Sequence, residues 1–425
     1  MGIIELLIIF GVLMVLGIPI SFAIILPSIA YMYFNGIPIE SAVNRLSGSL
    51  NSFTIMAVPF FIIAGQLMNC SGLTSHLIAF TKSLVGHMRG GLAQVNIGAS
   101  IIFAGMSGSA VADAGGLGSV LIKPMEKDGY SRSFSSAVTA ASSTIGPIIP
   151  PSIPMVIYGV IAEESIGRLF LAGAVPGVVL GILMMVMLRF MPQTKNVKVY
   201  EKSSLAEVSK HARKGIFGLL MPVIVIGGVT GGIFTPTEAA AIAAIYALFI
   251  GFLFNKGLNT NKVKGALVDS MILSANVLFI VAAAGIFGWL LARSGATGEI
   301  ALWIDSLGVS NLQLLLLINV IALLMGCVLE PISILIILTP VLLPIVSAAG
   351  IDPVHFGVVL VFNLMIGLVT PPMGLVLYVV SDIGRTSLES VVKDILPFFV
   401  PMLLVLLLIT AFPAITLALP DYVFG

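Results

Sequence analysis

Acidic side chains are rare in this chain, and three of them lie within or beside long apolar stretches: Asp113, Glu238 and Glu330. A carboxylate at membrane depth is costly to bury, so it indicates a functional site unless a simpler role explains it. Glu238 follows a helix start with Thr as the N-cap, so it could merely complement the helix dipole, and Glu330 could cap one arm of a hairpin. Asp113 is therefore the first candidate for binding an ion or a substrate.

Two Pro-Pro pairs lie inside apolar stretches, at Pro150-Pro151 and at Pro371-Pro372. Each pair removes two backbone N–H donors and clashes with the preceding turn, so the helix must unwind there. The freed carbonyl oxygens are costly in hydrocarbon unless they bind an ion or line a protected cavity. With nearby hydroxyls they form an oxygen-only environment that suits a hard cation such as Na⁺. We treat the four prolines, with Glu238 and Glu330, as candidates for helix termini or for coupling.

Small residues near each break could complete two cation sites. Residues that offer backbone or hydroxyl oxygens are Gly105, Ser107, Ser143 and Gly146 for the first site, and Gly326, Gly367 and Thr370 for the second. Ser107, Ser109 and Asp113 could also bind a substrate, although the serines could instead form a small-residue packing face. Arg293 ends an apolar helix and could contact an anionic substrate, or it could snorkel or bridge helices.

The composition indicates where these residues must lie. The chain has 425 residues, of which 58% are hydrophobic and 9% charged, whereas about a quarter of the residues of an ordinary soluble domain are charged. Long apolar stretches recur along the chain, and about 20 residues suffice for one helix to span a bilayer. The sequence therefore predicts an all-α membrane protein with many spans. The net charge of +1 gives no reason to expect a nucleic acid partner.

An internal repeat organises the apolar stretches. Gly146 and Pro150-Pro151 recur 221 residues later as Gly367 and Pro371-Pro372, and the same offset relates Gly105 to Gly326. Chance prolines in unrelated helices are the alternative, but so steady an offset favours duplication of one half. We expect a first repeat at residues 1–190, a basic linker at 191–214 and a second repeat at 215–425. Each repeat should hold a re-entrant hairpin and a broken helix, at about 91–122 and 133–161 in the first and about 312–350 and 353–381 in the second.

Basic residues predict the orientation, because Lys and Arg accumulate on the cytoplasmic side of a membrane. Seven of them lie from Arg189 to Lys214, so the linker is expected in the cytoplasm. The loops that flank the first hairpin are basic, whereas their counterparts around the second hairpin are almost free of Lys and Arg. The repeats should therefore be inverted, with about eleven spans, two hairpins and both termini in the periplasm.

Other chemistries have little support in the sequence. No Gly-Lys dipeptide occurs, so the chain lacks the phosphate-binding loop of ATP-driven proteins. The four histidines lack the paired spacing of a metalloenzyme, and the two cysteines lie in or beside apolar segments. We expect neither enzymatic activity nor use of ATP.

The hairpin and broken-helix motifs together resemble the large membrane subunit of tripartite ATP-independent periplasmic (TRAP) transporters. The resemblance covers essentially the whole chain. The segments that carry it are Gly105-Met106-Ser107-Gly108-Ser109-Ala110-Val111-Ala112-Asp113, Gly146-Pro147-Ile148-Ile149-Pro150-Pro151-Ser152, Gly232-Ile233-Phe234-Thr235-Pro236-Thr237-Glu238-Ala239-Ala240 and Thr370-Pro371-Pro372-Met373-Gly374.

This resemblance implies Na⁺-driven uptake of an organic acid anion, such as a C4-dicarboxylate or a sialic acid, by an elevator mechanism. It implies a soluble periplasmic binding protein and a small four-helix membrane subunit as a separate chain, in the lipid of the bacterial inner membrane. It also adds Met373 to the second cation site and places Arg293 and Glu238 near the substrate path or the partner surface.

Two other functional classes stay open at this stage. A stand-alone sodium-coupled carboxylate carrier or ion exchanger of the same architecture would need no binding protein. A passive channel would need a continuous polar pore, whereas the polar clusters lie only at the two pairs of hairpin and broken helix.

Overall fold

The fold is built almost entirely of helices, as the composition predicts. A computed structural model describes residues 1–253, 258–295, 298 and 308–425, and no strand occurs within these ranges. Three short 3₁₀ turns lie at Thr54–Met56, Pro192–Thr194 and Leu396–Phe398. The α-helices are Ile3–Val15, Ile20–Phe34, Glu40–Leu50, Ala57–Cys70, Leu73–Val85, Gly91–Ser107, Ala110–Lys127, Arg132–Ser143, Ile153–Ala162, Ile166–Phe190, Leu205–Thr230, Pro236–Leu253, Thr260–Ser294, Asn311–Gly326, Pro331–Ala348, Pro353–Gly367, Leu375–Gly384, Leu388–Ile395, Phe399–Ala411 and Ala414–Phe424.

Pairs of helices separated by short breaks lie at the stretches expected as hairpins and as broken helices. The re-entry of the hairpins into a membrane stays a prediction. The first hairpin comprises Gly91–Ser107 and Ala110–Lys127, and the first broken helix comprises Arg132–Ser143 and Ile153–Ala162. The second hairpin comprises Asn311–Gly326 and Pro331–Ala348, and the second broken helix comprises Pro353–Gly367 and Leu375–Gly384. Each Pro-Pro pair lies in the non-helical break, and both of these peptide bonds are cis.

Few helices are long enough to cross a bilayer alone. Within the described ranges, five helices have the length and composition of a span, or six if the bent pair Glu40–Leu50 and Thr54–Cys70 counts as one. The sequence predicted about eleven spans because it counts apolar stretches, whether or not the helix is continuous. Many of those stretches form shorter apolar helices of 10–17 residues, separated by Gly or Pro breaks.

Three boundaries differ from the sequence-based expectation. The apolar stretch 54–80 breaks at Ser71-Gly72, where Gly72 adopts a left-handed φ of 79° that is open to glycine without a Cβ penalty. Residues 40–50, expected as loop, form a polar helix that hydropathy alone does not reveal. The basic linker is also shorter than expected, because the next helix begins at Leu205, capped by Ser204.

The hairpins and broken helices interlock, and together we call them the inner unit. The second half of the second broken helix packs on the first hairpin and the first broken helix, while Pro331–Ala348 packs on Ile153–Ala162. The Ser136 hydroxyl donates to the Val380 carbonyl at 3.1 Å, and the Tyr158 hydroxyl donates to the Pro353 carbonyl at 2.6 Å. Each broken helix therefore supports elements of the other half of the chain.

Buried amides join hairpin to broken helix in both halves. Asn96 donates to Thr139 at 2.7 Å and accepts from Ser142 at 3.2 Å in the first half. In the second half, the Asn363 amide donates to the Asn319 carbonyl oxygen at 2.9 Å. Such bonds hold a hairpin in register, because a polar group left unpaired in an apolar interior is costly.

Three further helices form one packed group outside this unit, and we call them the outer frame: Ala57–Cys70, Pro236–Leu253 and Thr260–Ser294. Ala57–Cys70 packs against both of the others and also against the first hairpin. Gly65 makes the close approach to the hairpin possible, since an added Cβ would lie 2.8 Å from the Ser107 carbonyl oxygen.

Residues 191–204, which we call the linker strap, connect the ends of two helices on the basic side of the protein. The Tyr200 amide donates to the Gly86 carbonyl at 3.2 Å, and the Lys198 amide donates to the Asp128 carbonyl at 3.0 Å. The Tyr200 hydroxyl donates to the Asp128 carboxylate, and the Lys82 ammonium lies 3.6 Å from the centre of the Tyr200 ring. The strap therefore fastens Leu73–Val85 to the end of the first hairpin.

Tyr200→Phe should lower the free energy of unfolding of the detergent-solubilised protein at pH 7 by about 1.5–3 kcal/mol, because it removes a hydrogen bond to a charged acceptor. Thermal unfolding would measure the loss. Burial, and then the Asp128 carboxylate, raise the pKa of Tyr200. A raised pKa means that this stabilisation is complete below about pH 10 and is lost as the pH rises through the folded-state value. The variant and the wild type should therefore differ less at pH 11 than at pH 7. Tyr422→Phe, at an exposed tyrosine, is the control; an equal loss there would contradict the role of the Asp128 bond.

Candidate functional site

A cavity of about 750 Å³ lies where the inner unit meets the outer frame. Both hairpin tips, both broken helices and two outer-frame helices contribute to its wall. Its polar lining comes from Ser21, Gln66, Asn69, Ser109, Asn276, Glu330 and Ser333. Elements that are more than 200 residues apart in sequence therefore meet around one space.

Asp113 lies behind the tip of the first hairpin and is fully buried. Its Oδ1 accepts a hydrogen bond from the Ser107 hydroxyl, whereas its Oδ2 has no hydrogen-bond partner among the described residues. An added Cβ on Gly146 would overlap that Oδ2 and would lie 3.3 Å from the Ser143 carbonyl oxygen. Asp113, Ser107, Ser143 and Gly146 are thus brought together, as predicted, and we call this cluster the Asp113 site.

The free Oδ2 gives the Asp113 site its chemical character. A buried carboxylate oxygen without a partner is costly, and a cation is one ligand that removes the cost. The Ser143 hydroxyl itself donates to the Ala140 carbonyl at 2.8 Å, so it can still accept. The atoms that could bind a cation at the Asp113 site are therefore all oxygens, which suit a hard cation.

Gly326 and Gly367 form a second close approach between hairpin and broken helix. An ideal Cβ on Gly367 would lie 2.7 Å from the Gly326 Cα and 2.9 Å from its carbonyl oxygen. The Thr370 hydroxyl donates to the Ile366 carbonyl at 2.7 Å, and the Met373 amide donates to the Cys327 carbonyl at 3.1 Å. All four predicted residues therefore lie at this junction, which we call the Gly367 site.

Residues 7–415 match the family described as the tripartite ATP-independent periplasmic transporter, DctM component. The chain belongs to this family. It is 44% identical over 410 residues to the sialic acid TRAP transporter large permease protein SiaM of Vibrio cholerae, covering 96% of each chain.

One further relative supports this assignment to the TRAP transporters, and one solved structure shares the fold. The C4-dicarboxylate TRAP transporter large permease protein DctM of Pseudomonas aeruginosa is 37% identical over 395 residues, covering 93% of this chain and 92% of that one. Among solved structures, the YdaH transporter of Alcanivorax borkumensis superposes with a TM-score of 0.63 over 88% of each chain at 16% identity. That likeness shows a shared transporter fold.

In this TRAP subunit Glu238 lies in the first turn of a helix and Glu330 lies at a helix N-cap. Glu330 accepts hydrogen bonds from the Ser333 amide at 2.9 Å and hydroxyl at 3.0 Å, so it caps Pro331–Ala348. Glu238 accepts from the Thr235 amide and hydroxyl, both at 2.8 Å. Ser109, 221 residues before Glu330, caps Ala110–Lys127 by accepting from the Ala112 amide at 3.4 Å. A coupling role for either acid stays a prediction.

Two predicted residues lie apart from these clusters. Gly105 faces the outer helix Leu205–Thr230, because an added Cβ would lie 2.7 Å from the Pro222 side chain. Arg293 stacks near Trp289, with its guanidinium carbon 5.7 Å from the ring centre, and it does not line the cavity. Trp289 lies four residues earlier on the same helix, Thr260–Ser294, so this contact is within one helix. The contact of Arg293 with a substrate stays a prediction.

The breaks themselves contact the hairpin tips. The Ser152 hydroxyl donates to the Pro147 carbonyl and so closes the turn around Pro150-Pro151. An added Cβ on Gly108 would lie 2.7 Å from the Pro151 carbonyl oxygen. In the second half the Tyr378 hydroxyl donates to the Pro372 carbonyl at 3.2 Å. A movement of a hairpin tip would therefore also displace the proline turn that it contacts.

Sequence reasoning missed Gln66, Asn69 and Asn276, which line the cavity from the outer frame. A single amide in an apolar helix carries no motif, and only the packing of the frame against the hairpins shows which way it faces. The spacing of Gln66 and Asn69, three residues apart on one helix face, was the only available signal.

Ser107→Ala should destabilise this TRAP subunit by about 1–3 kcal/mol, because it leaves both oxygens of a buried carboxylate without a partner. Thermal unfolding in detergent without Na⁺ would measure the loss. Ser119→Ala is the matched control, since Ser119 lies on the same hairpin but is exposed, and it should change stability by less than about 0.5 kcal/mol. Equal effects of the two substitutions would argue against a Ser107 bond to a charged group.

Proposed function

We propose that this TRAP subunit imports an organic acid anion, a sialic acid or a C4-dicarboxylate, driven by Na⁺. The observation that carries the proposal is the shared cavity, which both hairpin tips and both broken helices line. The named relatives act on sialic acid and C4-dicarboxylate respectively. A soluble periplasmic binding protein delivers the anion, and a separate small membrane subunit binds alongside in the bacterial inner membrane.

Sodium is the proposed coupling ion because both candidate sites offer oxygen ligands at a break in a helix. At the Asp113 site the ligands are the free Oδ2, the Ser143 carbonyl and the Ser107 hydroxyl. At the Gly367 site they are backbone carbonyls and the Thr370 hydroxyl. Bound Na⁺ would fix each hairpin tip against its broken helix, so that the substrate binds well only when the ions are present.

The proposed movement is an elevator step of the inner unit against the outer frame. The internal repeat supports it, because Ser109 and Glu330 cap equivalent hairpin arms at the 221-residue offset. In this scheme the basic linker strap lies in the cytoplasm and both termini lie in the periplasm. The inner unit carries both candidate sites, so ions and substrate would move together.

Uptake of radiolabelled N-acetylneuraminate and succinate into proteoliposomes tests the proposal. The large and small subunits are reconstituted together, with and without the binding protein, and with and without an inward Na⁺ gradient. Accumulation should require both the gradient and the binding protein. Uptake that needs Na⁺ alone would instead support the stand-alone carrier.

Gly146→Ala should raise the Na⁺ concentration for half-maximal uptake by about tenfold, because the new methyl group displaces the Asp113 Oδ2 at a cost of about 1–3 kcal/mol. Gly227→Ala is the control, since an added Cβ there meets no atom within 4 Å. An unchanged Na⁺ dependence in Gly146→Ala would contradict a cation site at this contact.

A further inference from the structure

The cavity has two chemically different sides. The inner unit contributes the capped tips of the hairpins, with Ser109, Glu330 and Ser333. The outer frame contributes three amides, Gln66, Asn69 and Asn276, set among apolar side chains of the same helices. We call these three residues the amide wall.

Asn69 is the best-defined member of the amide wall. Its Oδ1 is buried and has no hydrogen-bond partner among the described residues. It lies close to the first hairpin, 4.0 Å from the position that a Cβ on Gly116 would take. The helix cannot easily rotate about its axis to move Asn69 away from the hairpin, because Gly65, four residues earlier, packs closely against the Ser107 carbonyl. A buried amide oxygen without a partner is costly. Rotation of the Asn69 side chain towards the cavity would let a hydrogen-bond donor on a ligand satisfy it.

The charges of the lining limit which ligand can supply that donor. Among the described lining residues no Lys, Arg or His occurs, and the single acid is Glu330. Glu330 already accepts from the start of Pro331–Ala348, whereas the equivalent helix of the first hairpin is capped by the neutral Ser109. One carboxylate of a substrate can therefore bind at the start of the first hairpin's helix Ala110–Lys127. A second carboxylate would find no cationic side chain in the lining and would be repelled by the negative charge of Glu330.

Amide side chains both donate and accept hydrogen bonds, so they match hydroxyl and acetamido groups. We propose that the amide wall of Gln66, Asn69 and Asn276 sets substrate specificity by binding the hydroxyl and amide groups of a singly charged, polyhydroxylated acid. This inference rests on the proposed function and narrows it to one substrate class. The wall stays with the outer frame, so an elevator step would carry the substrate away from it and break these contacts.

Direct binding to the purified complex of large and small subunits tests the inference, because it leaves out the selectivity of the binding protein. Calorimetric titration with N-acetylneuraminate and with succinate, each at saturating Na⁺, gives both affinities. Asn69→Leu, Gln66→Leu and Asn276→Leu should each weaken N-acetylneuraminate binding by about three- to tenfold, the worth of one neutral hydrogen bond. Succinate binding should change by less than twofold. Gln193→Leu, at an exposed amide of the linker strap, is the control and should change neither affinity.

The outcomes separate this inference from the proposed function. Wild-type protein that binds neither acid in the presence of Na⁺ would overturn the proposed function. Wild-type protein that binds N-acetylneuraminate, with wall variants that bind it equally well, would overturn only the role of the amides. Tighter binding of succinate than of N-acetylneuraminate would overturn the substrate class. Variants that lose affinity for both acids equally would show a structural role for the wall instead of a role in specificity.

Discussion

Asp113→Ala should abolish Na⁺-dependent uptake while leaving the protein folded in detergent. The substitution removes the Oδ2 that lacks a partner and faces Gly146, together with the acceptor for the Ser107 hydroxyl. Loss of a buried charged ligand costs about 3–5 kcal/mol of interaction with its counter-ion, which corresponds to about a hundredfold or more in Na⁺ affinity. At ordinary Na⁺ concentrations the site would then stay empty.

Three measurements make the Asp113 result specific. Initial uptake rates at increasing Na⁺ should show no saturation in the variant, and size-exclusion chromatography should show the same elution as for the wild type. Asp113→Asn, which keeps the size but removes the charge, should behave like the alanine variant. Asp382→Asn, at an exposed carboxylate near the C-terminal end of the second broken helix, should transport normally. Undiminished uptake by Asp113→Ala would contradict the assignment of the first cation site.

Gly367→Val should disrupt the second site with an effect of similar size. A Cβ at this position would lie 2.7 Å from the Gly326 Cα and 2.9 Å from the Gly326 carbonyl carbon and oxygen. The hairpin and the broken helix must therefore separate, and overpacking of this kind costs about 1–3 kcal/mol before the second methyl group is counted. Separation would also move the Gly326 backbone away from Gly367 and so change the positions of the carbonyl oxygens proposed as ligands.

The expected readout for Gly367→Val is a loss of the steep dependence of uptake on Na⁺. If two ions cooperate, removal of one site should lower the Hill coefficient to about 1 and raise the half-saturating Na⁺ concentration at least tenfold. Gly265→Ala is the control, because an added Cβ there meets no atom within 4 Å and a helix interior gains about 1 kcal/mol from the exchange. A wild-type Na⁺ curve in Gly367→Val would argue against the second site.

The local features of the site could be predicted from residue types alone. The Pro-Pro pairs located both helix breaks, because a proline cannot continue an α-helix from its interior. The offset between Gly146 and Gly367 identified the paired elements, and Asp113 was identified as the critical acid because a carboxylate is rare at membrane depth. These inferences depend on the chain near each residue, which is why they needed no coordinates.

Other features depended on which surfaces meet. Gly105 was grouped with the cation ligands by its position in a motif, yet it faces Pro222 on an outer helix. Arg293 was grouped with the substrate by its charge, yet its guanidinium lies near Trp289. The break at Gly72 and the polar helix Glu40–Leu50 were also missed, because one glycine or a mixed polar sequence has no unique structure without its neighbours.

The sequence by itself determined the membrane setting, the two hairpins, the two breaks and the acid at Asp113, since each follows from the hydropathy or stereochemistry of adjacent residues. Only the tertiary structure decided that both tips share one cavity with Gln66, Asn69 and Asn276. It also decided that the Asp113 Oδ2 faces Gly146 without a partner. The physical reason is that the packing of helices sets how each helix is rotated about its axis. Successive side chains of an α-helix point about 100° apart, so a small change in that rotation decides which residue faces the cavity.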